Sequence, residues 1–316
     1  EKCISCNLCD SVCQFKQETE KEIIPTVYCA KTKNHGELLS STSGGIFPLF
    51  AEEILNTGGV VYGATMSKDC SFVYHIGITE KEELYLLKGS KYLQSRLNDC
   101  YGEIKQKLDQ NVPVLFSGTS CQILGLKLFL KKDYDNLFLV EIICHGVPSE
   151  TLWEKQKIFI ENKYKQQLLK VNFRSKKYKW QNLSVEYTFK KDKKHVLSII
   201  DSFYRIFNSP LALRESCYNC VAKSGKCNAD VALGDFWGIN TLNPNFYYNN
   251  GASLLLIYSD KGKILFEKIK NSIDFINNID FNSAVKYNKA VVSSITRTSL
   301  RDTVYKDWNN LPYKKV

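Results

Sequence analysis

Seven of the twelve cysteines in this 316-residue chain fall into two tight groups, Cys3, Cys6, Cys9, Cys13 and Cys217, Cys220, Cys227. That clustering limits what the chain can be more than any other feature. Folds that rest on disulfides are small and secreted, whereas a chain of this length buries its own core. Thiols grouped this closely read as metal ligands in a reducing cytoplasm.

Cys3-x2-Cys6-x2-Cys9-x3-Cys13 has the spacing of the bacterial ferredoxin run. Two-residue gaps let a tight loop present three thiolates to three irons of a [4Fe–4S] cluster. The fourth cysteine, three residues on, is aimed at another cluster in two-cluster ferredoxins. Gln14 stands where a proline usually follows. Either Cys13 closes the same cluster, or a sister run belongs upstream of Glu1; Cys29 is a substitute ligand or a lone structural cysteine. Zinc is the competing metal, but zinc ribbons separate two Cys-x2-Cys knuckles.

Cys217-x2-Cys220 is half a site and needs two further thiolates. Cys227 is nearby in sequence. Cys121 and Cys144 each follow a predicted buried strand, and ligands of open parallel sheets gather beyond the carboxyl ends of strands. Each of the two is either a ligand or a small buried hydrophobe.

The hydrophobic pattern predicts α/β (α+β) architecture: a ferredoxin-like iron–sulfur segment, a mixed or parallel α/β core, antiparallel hairpins and a helical C-terminus. Residues 1–30 read as cysteine-rich loop. Helices are expected over 46–56, 81–87, 92–110 and 123–130, with strands over 60–64, 113–116 and 137–144. Segments 171–174 and 184–189 alternate as hairpin strands, and 260–316 reads as helical. The expected divisions are 1–30, 31–165 and 166–316. No run of about 18 apolar residues exists, so no membrane span is expected. The net charge of +10 resides in lysine clusters such as 176–179 and 190–194. These suit solvated turns or a docking face for an acidic electron carrier, and no nucleic-acid signature accompanies them.

Several segments together resemble a known family. They are Ser41-Thr42-Ser43-Gly44-Gly45, Gly58-Gly59-Val60-Val61-Tyr62-Gly63, Gly89-Ser90-Lys91-Tyr92, Phe116-Ser117-Gly118-Thr119-Ser120-Cys121-Gln122, Cys144-His145-Gly146-Val147-Pro148, Phe173-Arg174-Ser175-Lys176, Cys217-Tyr218-Asn219-Cys220 and Gly234-Asp235-Phe236-Trp237-Gly238. In this order they are similar to the β-subunit family of coenzyme F420-reducing hydrogenase and dehydrogenase, which includes plant 7-hydroxymethyl chlorophyll a reductase. The resemblance covers roughly residues 1–240. It implies FAD and a [4Fe–4S] cluster held by Cys121, Cys144, Cys217 and Cys220. Ser120 replaces the family's proline before the cysteine.

Around the implied flavin, Ser43, Gly44 and Gly45 precede a helix and either cradle a phosphate or form an ordinary N-cap. Gly89, Ser90, Lys91 and Tyr92 offer a second close approach: Lys91 for the diphosphate or flavin N1, Tyr92 for a ring. Gly118, Thr119 and Trp237 complete the candidate wall. No GxGxxG fingerprint is present. His145 is a candidate proton carrier or a turn residue bonded to its own backbone.

The resulting expectation is an iron–sulfur flavoprotein oxidoreductase. It would relay electrons between a ferredoxin-like donor, its clusters and FAD, and exchange a hydride with F420 or another organic substrate. The alternatives are a non-catalytic electron-transfer subunit of a redox complex, or a zinc-stabilised binding module. Either a partner subunit or a homo-oligomer is compatible with the sequence.

Overall fold

A computed structural model describes residues 6–16, 23–246 and 249–308. Cys3 lies outside the described residues. The strands are β1 (Thr26–Thr32), β2 (Val60–Met66), β3 (Val73–Ile78), β4 (Ser95–Arg96), β5 (Val114–Thr119), β6 (Leu137–Ile142), β7 (Leu168–Ser175), β8 (Ser184–Phe189), β9 (Lys193–Leu197), β10 (Val231–Asp235), β11 (Ser253–Ile257) and β12 (Ile273–Ile276). Nine of them form one sheet in the order β12-β1-β11-β10-β6-β5-β2-β3-β4, and β7-β8-β9 form a second.

The centre of the large sheet is parallel: β10 with β6, β6 with β5, β5 with β2. These strands are near-continuous apolar runs, as burial on both faces requires. In β5 the side chains alternate between two cores. Leu115 joins the helices Ile46–Leu55 and Asp260–Ile269 on one face. Val114 and Phe116 join the helices Cys100–Asp109 and Ser120–Leu130 on the other. The small sheet packs on the helices Glu150–Tyr164 and Ser202–Asn208 through Trp153, Phe173, Tyr187 and Phe203. The large sheet takes strands from both sides of residue 165.

The mixed α/β architecture agrees with the sequence reading, and three local expectations are corrected. Residues 92–110 are not one helix. Ser95 and Arg96 pair with Val73 and Tyr74, and Asn98 takes a left-handed φ of 47°, so the helix begins only at Cys100. Leu93, at helical spacing, instead enters the core against the small sheet. Residues 26–30 are not loop, because β1 lies between β11 and β12. The C-terminal stretch is not wholly helical: Ile273–Ile276 forms the edge strand β12, ahead of the helix Phe281–Tyr287. None of the described helices is long and apolar enough to cross a membrane.

Candidate functional site: two adjoining cavities at the strand ends

Two cavities lie along the carboxyl ends of β10, β6, β5 and β2, where the chain leaves each strand for a loop. The smaller, of about 300 Å³, is lined by Cys121, Cys144, Cys217 and Cys220. These thiols come from three loops. Cys121 opens the helix Ser120–Leu130 directly after β5, with the Thr119 hydroxyl 3.3 Å from its sulfur. Gln122 ties this turn down: its Oε1 accepts from the Thr119 N–H at 3.0 Å, and its Nε2 donates to Ser95 Oγ at 2.8 Å. Cys144 follows β6. Cys217 lies within a short 3-10 turn, Glu215–Asn219, and Cys220 directly follows it. The Cys220 N–H donates to Ser294 Oγ at 3.0 Å, which fastens the turn to the C-terminal segment.

Burial pushes the Cys144 thiol up to about 12, and neighbouring Cys121 adds to the shift. The Cys121, Cys217 and Cys220 thiols are also raised, chiefly by burial. The four cysteines thus line one cavity with their thiol protons held on chiefly by burial. Among the described residues, no three His, Cys, Asp or Glu side chains gather closely enough to hold a single metal ion.

The other cysteines are placed differently. Cys227 is fully buried and donates to Glu141 Oε2 at 3.4 Å, away from the cavity wall. The second oxygen of Glu141 accepts from Ser120. Cys29 lies in a separate core with Leu254 and Leu256. Cys6 and Cys9 are exposed and Cys13 is partly buried. Gln14 and Phe15, directly after Cys13, wall the smaller cavity.

The larger cavity, of about 510 Å³, shares Thr119, Cys144, His145 and Gly146 with the smaller. It is also lined by Ser43, Gly45, Gly89, Ser90, Lys91, Tyr92, Gly118 and Trp237. Gly44 sits behind the wall, its N–H donating to Ser253 Oγ at 2.9 Å. The two expected phosphate loops are joined by the Ser90 N–H donating to Thr42 Oγ1 at 2.9 Å.

Lys91 lies in this wall, but its ammonium donates to the carbonyls of Leu86, Leu87 and Lys88 at 3.2, 3.0 and 2.9 Å. It therefore caps the end of the helix Leu84–Leu87. Burial lowers its ionisation to about 7. Tyr92 stacks on Phe207 at 4.3 Å. Trp237 stacks on Trp180 at 4.9 Å. His145 is held below its usual value by burial, opposed by a bond to the Phe207 backbone, and its Nε2 has no partner.

Sequence reasoning offered the segment Gly234–Gly238 as a wall, Asp235 within it, but missed His75, Arg174 and the segment Tyr287–Ala290. His75 Nε2 lies 3.0 Å from the Ser117 carbonyl, which fixes it as the protonated nitrogen. Nδ1 is then a buried acceptor without a partner. Arg174 pairs with Asp235 inside the protein. Both residues stand in family-like segments, but nothing local marks them as a pair.

The fold and the two cavities define an α/β protein in which a cavity lined by four cysteines adjoins a larger one at the strand ends. A family model described as the C terminus of the coenzyme F420 hydrogenase/dehydrogenase beta subunit matches residues 113–278. The chain belongs to this family. Among solved structures, it is similar to a chain from the F420-reducing [NiFe] hydrogenase complex of Methanosarcina barkeri, studied by xenon derivatization. The TM-score is 0.59 over 92% of this chain and 95% of that one, at 13% identity, a likeness of fold. No curated protein matches the sequence.

Proposed function

We propose that this chain is an iron–sulfur flavoprotein oxidoreductase, with a [4Fe–4S] cluster held by Cys121, Cys144, Cys217 and Cys220 and FAD in the larger cavity. One observation carries the reading: four thiols from three loops line one cavity, and that cavity shares Cys144 and His145 with the larger one. A single zinc ion would draw its sulfurs to about 2.3 Å from one point. Thiols spread around a volume suit a multi-iron cluster. The larger volume lies within the roughly 300–1,000 Å³ common for organic ligands.

Bound here, the cluster would supply single-electron transfer and the flavin its conversion to hydride transfer. The protein's own part is positional. The N-terminus of the helix Ser120–Leu130 works against the burial that raises the Cys121 thiol. His145 Nε2, unpaired in the shared wall, is a proton acceptor for the organic ligand. The buried His75 Nδ1 offers a second acceptor at the other end. Ser43, Gly45, Gly89 and Ser90 are the candidate diphosphate holders, and Lys91, tied to three carbonyls behind them, braces the second of these loops. The run at Cys6, Cys9 and Cys13, exposed at its first two cysteines, is the docking point for a ferredoxin or similar acidic carrier. The hydride partner is coenzyme F420, as the family description suggests, or another small organic molecule.

The test is the visible spectrum and the iron, sulfide and flavin content of anaerobically reconstituted protein. The expected result is brown, flavin-containing protein whose Cys217→Ser variant loses the inner iron and keeps that of the N-terminal run. Colourless, iron-free protein, or unchanged iron in the variant, overturns the reading. Reduced F420, NADH and NADPH then screen for flavin reduction.

A second reading, an electron-transfer subunit of a larger assembly, draws on the likeness to a chain of a hydrogenase complex. It expects no turnover of any organic donor until a partner subunit is added.

A further inference from the structure

At the β10 end of the larger cavity stands a buried charge whose hydrogen bonding is incomplete. Arg174 and Asp235 face each other with side chains only 5% and 12% exposed. Arg174 Nη1 donates to Asp235 Oδ2 and, at 3.3 Å, to the Tyr92 hydroxyl. Asp235 Oδ1 is taken by the Trp180 indole N–H at 3.0 Å. Arg174 Nη2 is buried with no partner. The guanidinium lies 5.4 Å from the Trp237 ring centre, in the same wall. Two ammonium groups of the same wall are already committed: Lys91 to three carbonyls, Lys88 to Glu37 and Ser40.

A guanidinium is always protonated, and its fork of N–H groups matches carboxylate and phosphate oxygens. Burying one arm of that fork unmet is costly, so the site is complete only when an acceptor enters. We infer that Arg174 is an oxyanion receptor within the cavity: its Nη2 donates to a phosphate or carboxylate oxygen of the organic ligand. Asp235 and Trp180 hold the guanidinium in place while leaving this arm free. The inference rests on the reading of the cavity as a cofactor and substrate site. It makes the ligand class anionic, the oxyanion being either the diphosphate of the flavin nucleotide or an acid group of the redox substrate.

The experiment is calorimetric binding of FAD, riboflavin and inorganic phosphate to the wild-type protein, the D235N variant and the R174Q/D235N double variant. The double variant removes both charges together and strands neither. The expected result is a loss of about tenfold or more for FAD or for phosphate in the double variant, with riboflavin unchanged. D235N, which keeps Nη2 but weakens its brace, should retain clearly more affinity for both than the double variant does. A loss confined to FAD identifies the diphosphate as the oxyanion, and one confined to phosphate identifies the substrate's acid group. Equal affinities throughout overturn the inference. So do an equal loss for riboflavin, a loss in D235N matching the double variant, or a wild type that binds neither FAD nor phosphate. If wild type binds phosphate but no flavin, the flavin reading fails and the phosphate comparison still decides the role of Arg174. Should the double variant not fold, Arg174→Lys, which keeps the charge and removes the second donor, gives the same comparison.

Discussion

Lys223 Nζ donates to the carbonyl oxygen of Cys144 at 2.8 Å, across 79 residues of sequence. The same ammonium reaches the Ala290 carbonyl at 2.5 Å. One buried cation thus fastens the loop after β6, the Cys217–Cys220 turn and the C-terminal segment together. The thiol cavity depends on this joint because its walls belong to separate stretches of chain.

Replacing Lys223 with Met removes two charge-assisted hydrogen bonds and leaves two partly buried carbonyls unmet. The expected cost is about 2–4 kcal/mol in denaturant unfolding, with faster loss of reconstituted iron to a chelator. A change below about 0.5 kcal/mol would show that the joint carries no load.

Cys220 and Cys227 should part company on mutation. Cys227 is engaged with Glu141 at 3.4 Å, so Cys227→Ser is expected to retain the inner iron and sulfide and to cost roughly 1 kcal/mol. Cys220→Ser should lose that iron. The measurement is acid-labile sulfide per chain, and equal retention in both variants would contradict the assignment of Cys220.

His75 sets a pH dependence of folding. Burial lowers its ionisation from 6.5 to about 4. The unfolded chain therefore takes up a proton at a higher pH than the folded chain does. The stabilisation is complete above about pH 6.5 and falls away towards pH 4, by up to about 3 kcal/mol. Unfolding free energies measured at pH 7, 5.5 and 4.5 should show this slope, and His75→Gln should flatten it. An unchanged slope would assign the acid sensitivity to other groups.

Gly44 is a position of close approach. A Cβ there would lie 2.2 Å from the Ala30 carbonyl oxygen and 2.7 Å from the Ser253 N, both backbone atoms. Gly44→Ala is expected to destabilise by about 1–3 kcal/mol and to lower flavin retention by displacing Ser43 and Gly45. Gly36→Ala serves as the control, since its Cβ would meet only Asn34 Oδ1 at 3.5 Å. Thermal melts and flavin content after gel filtration compare the two, and equal melts would contradict the steric argument.

Much of the α/β pattern could be read in advance. Val114–Phe116 and Leu137–Val140 are apolar because they are buried on both faces, and that needs no knowledge of their neighbours. β12 was hidden because four residues with a partly apolar face can pair only where β1 offers an edge. The helix expected from residue 92 failed for the same reason: Ser95 and Arg96 take their conformation from β3.

The site divides along the same line. Local spacing marked the N-terminal run, Cys217-x2-Cys220 and the two glycine loops, since each is a matter of adjacent residues and backbone freedom. Spacing left Cys121 and Cys144 open; the family resemblance proposed them as ligands, and only the parallel order of β5 and β6 brings them to one cavity with the other two. Lys91 was legible as a basic residue at the pocket, but its attachment to three carbonyls was not.

The sequence by itself determined which side chains could ligate, cap or cradle, because those capacities are local chemistry. Only the tertiary structure decided that Cys121, Cys144, Cys217 and Cys220 share a wall, that Cys227 turns to Glu141, and that one arm of Arg174 is left open. These outcomes depend on strand order and on what each loop meets on leaving the sheet. Both are set by packing between segments far apart in the chain.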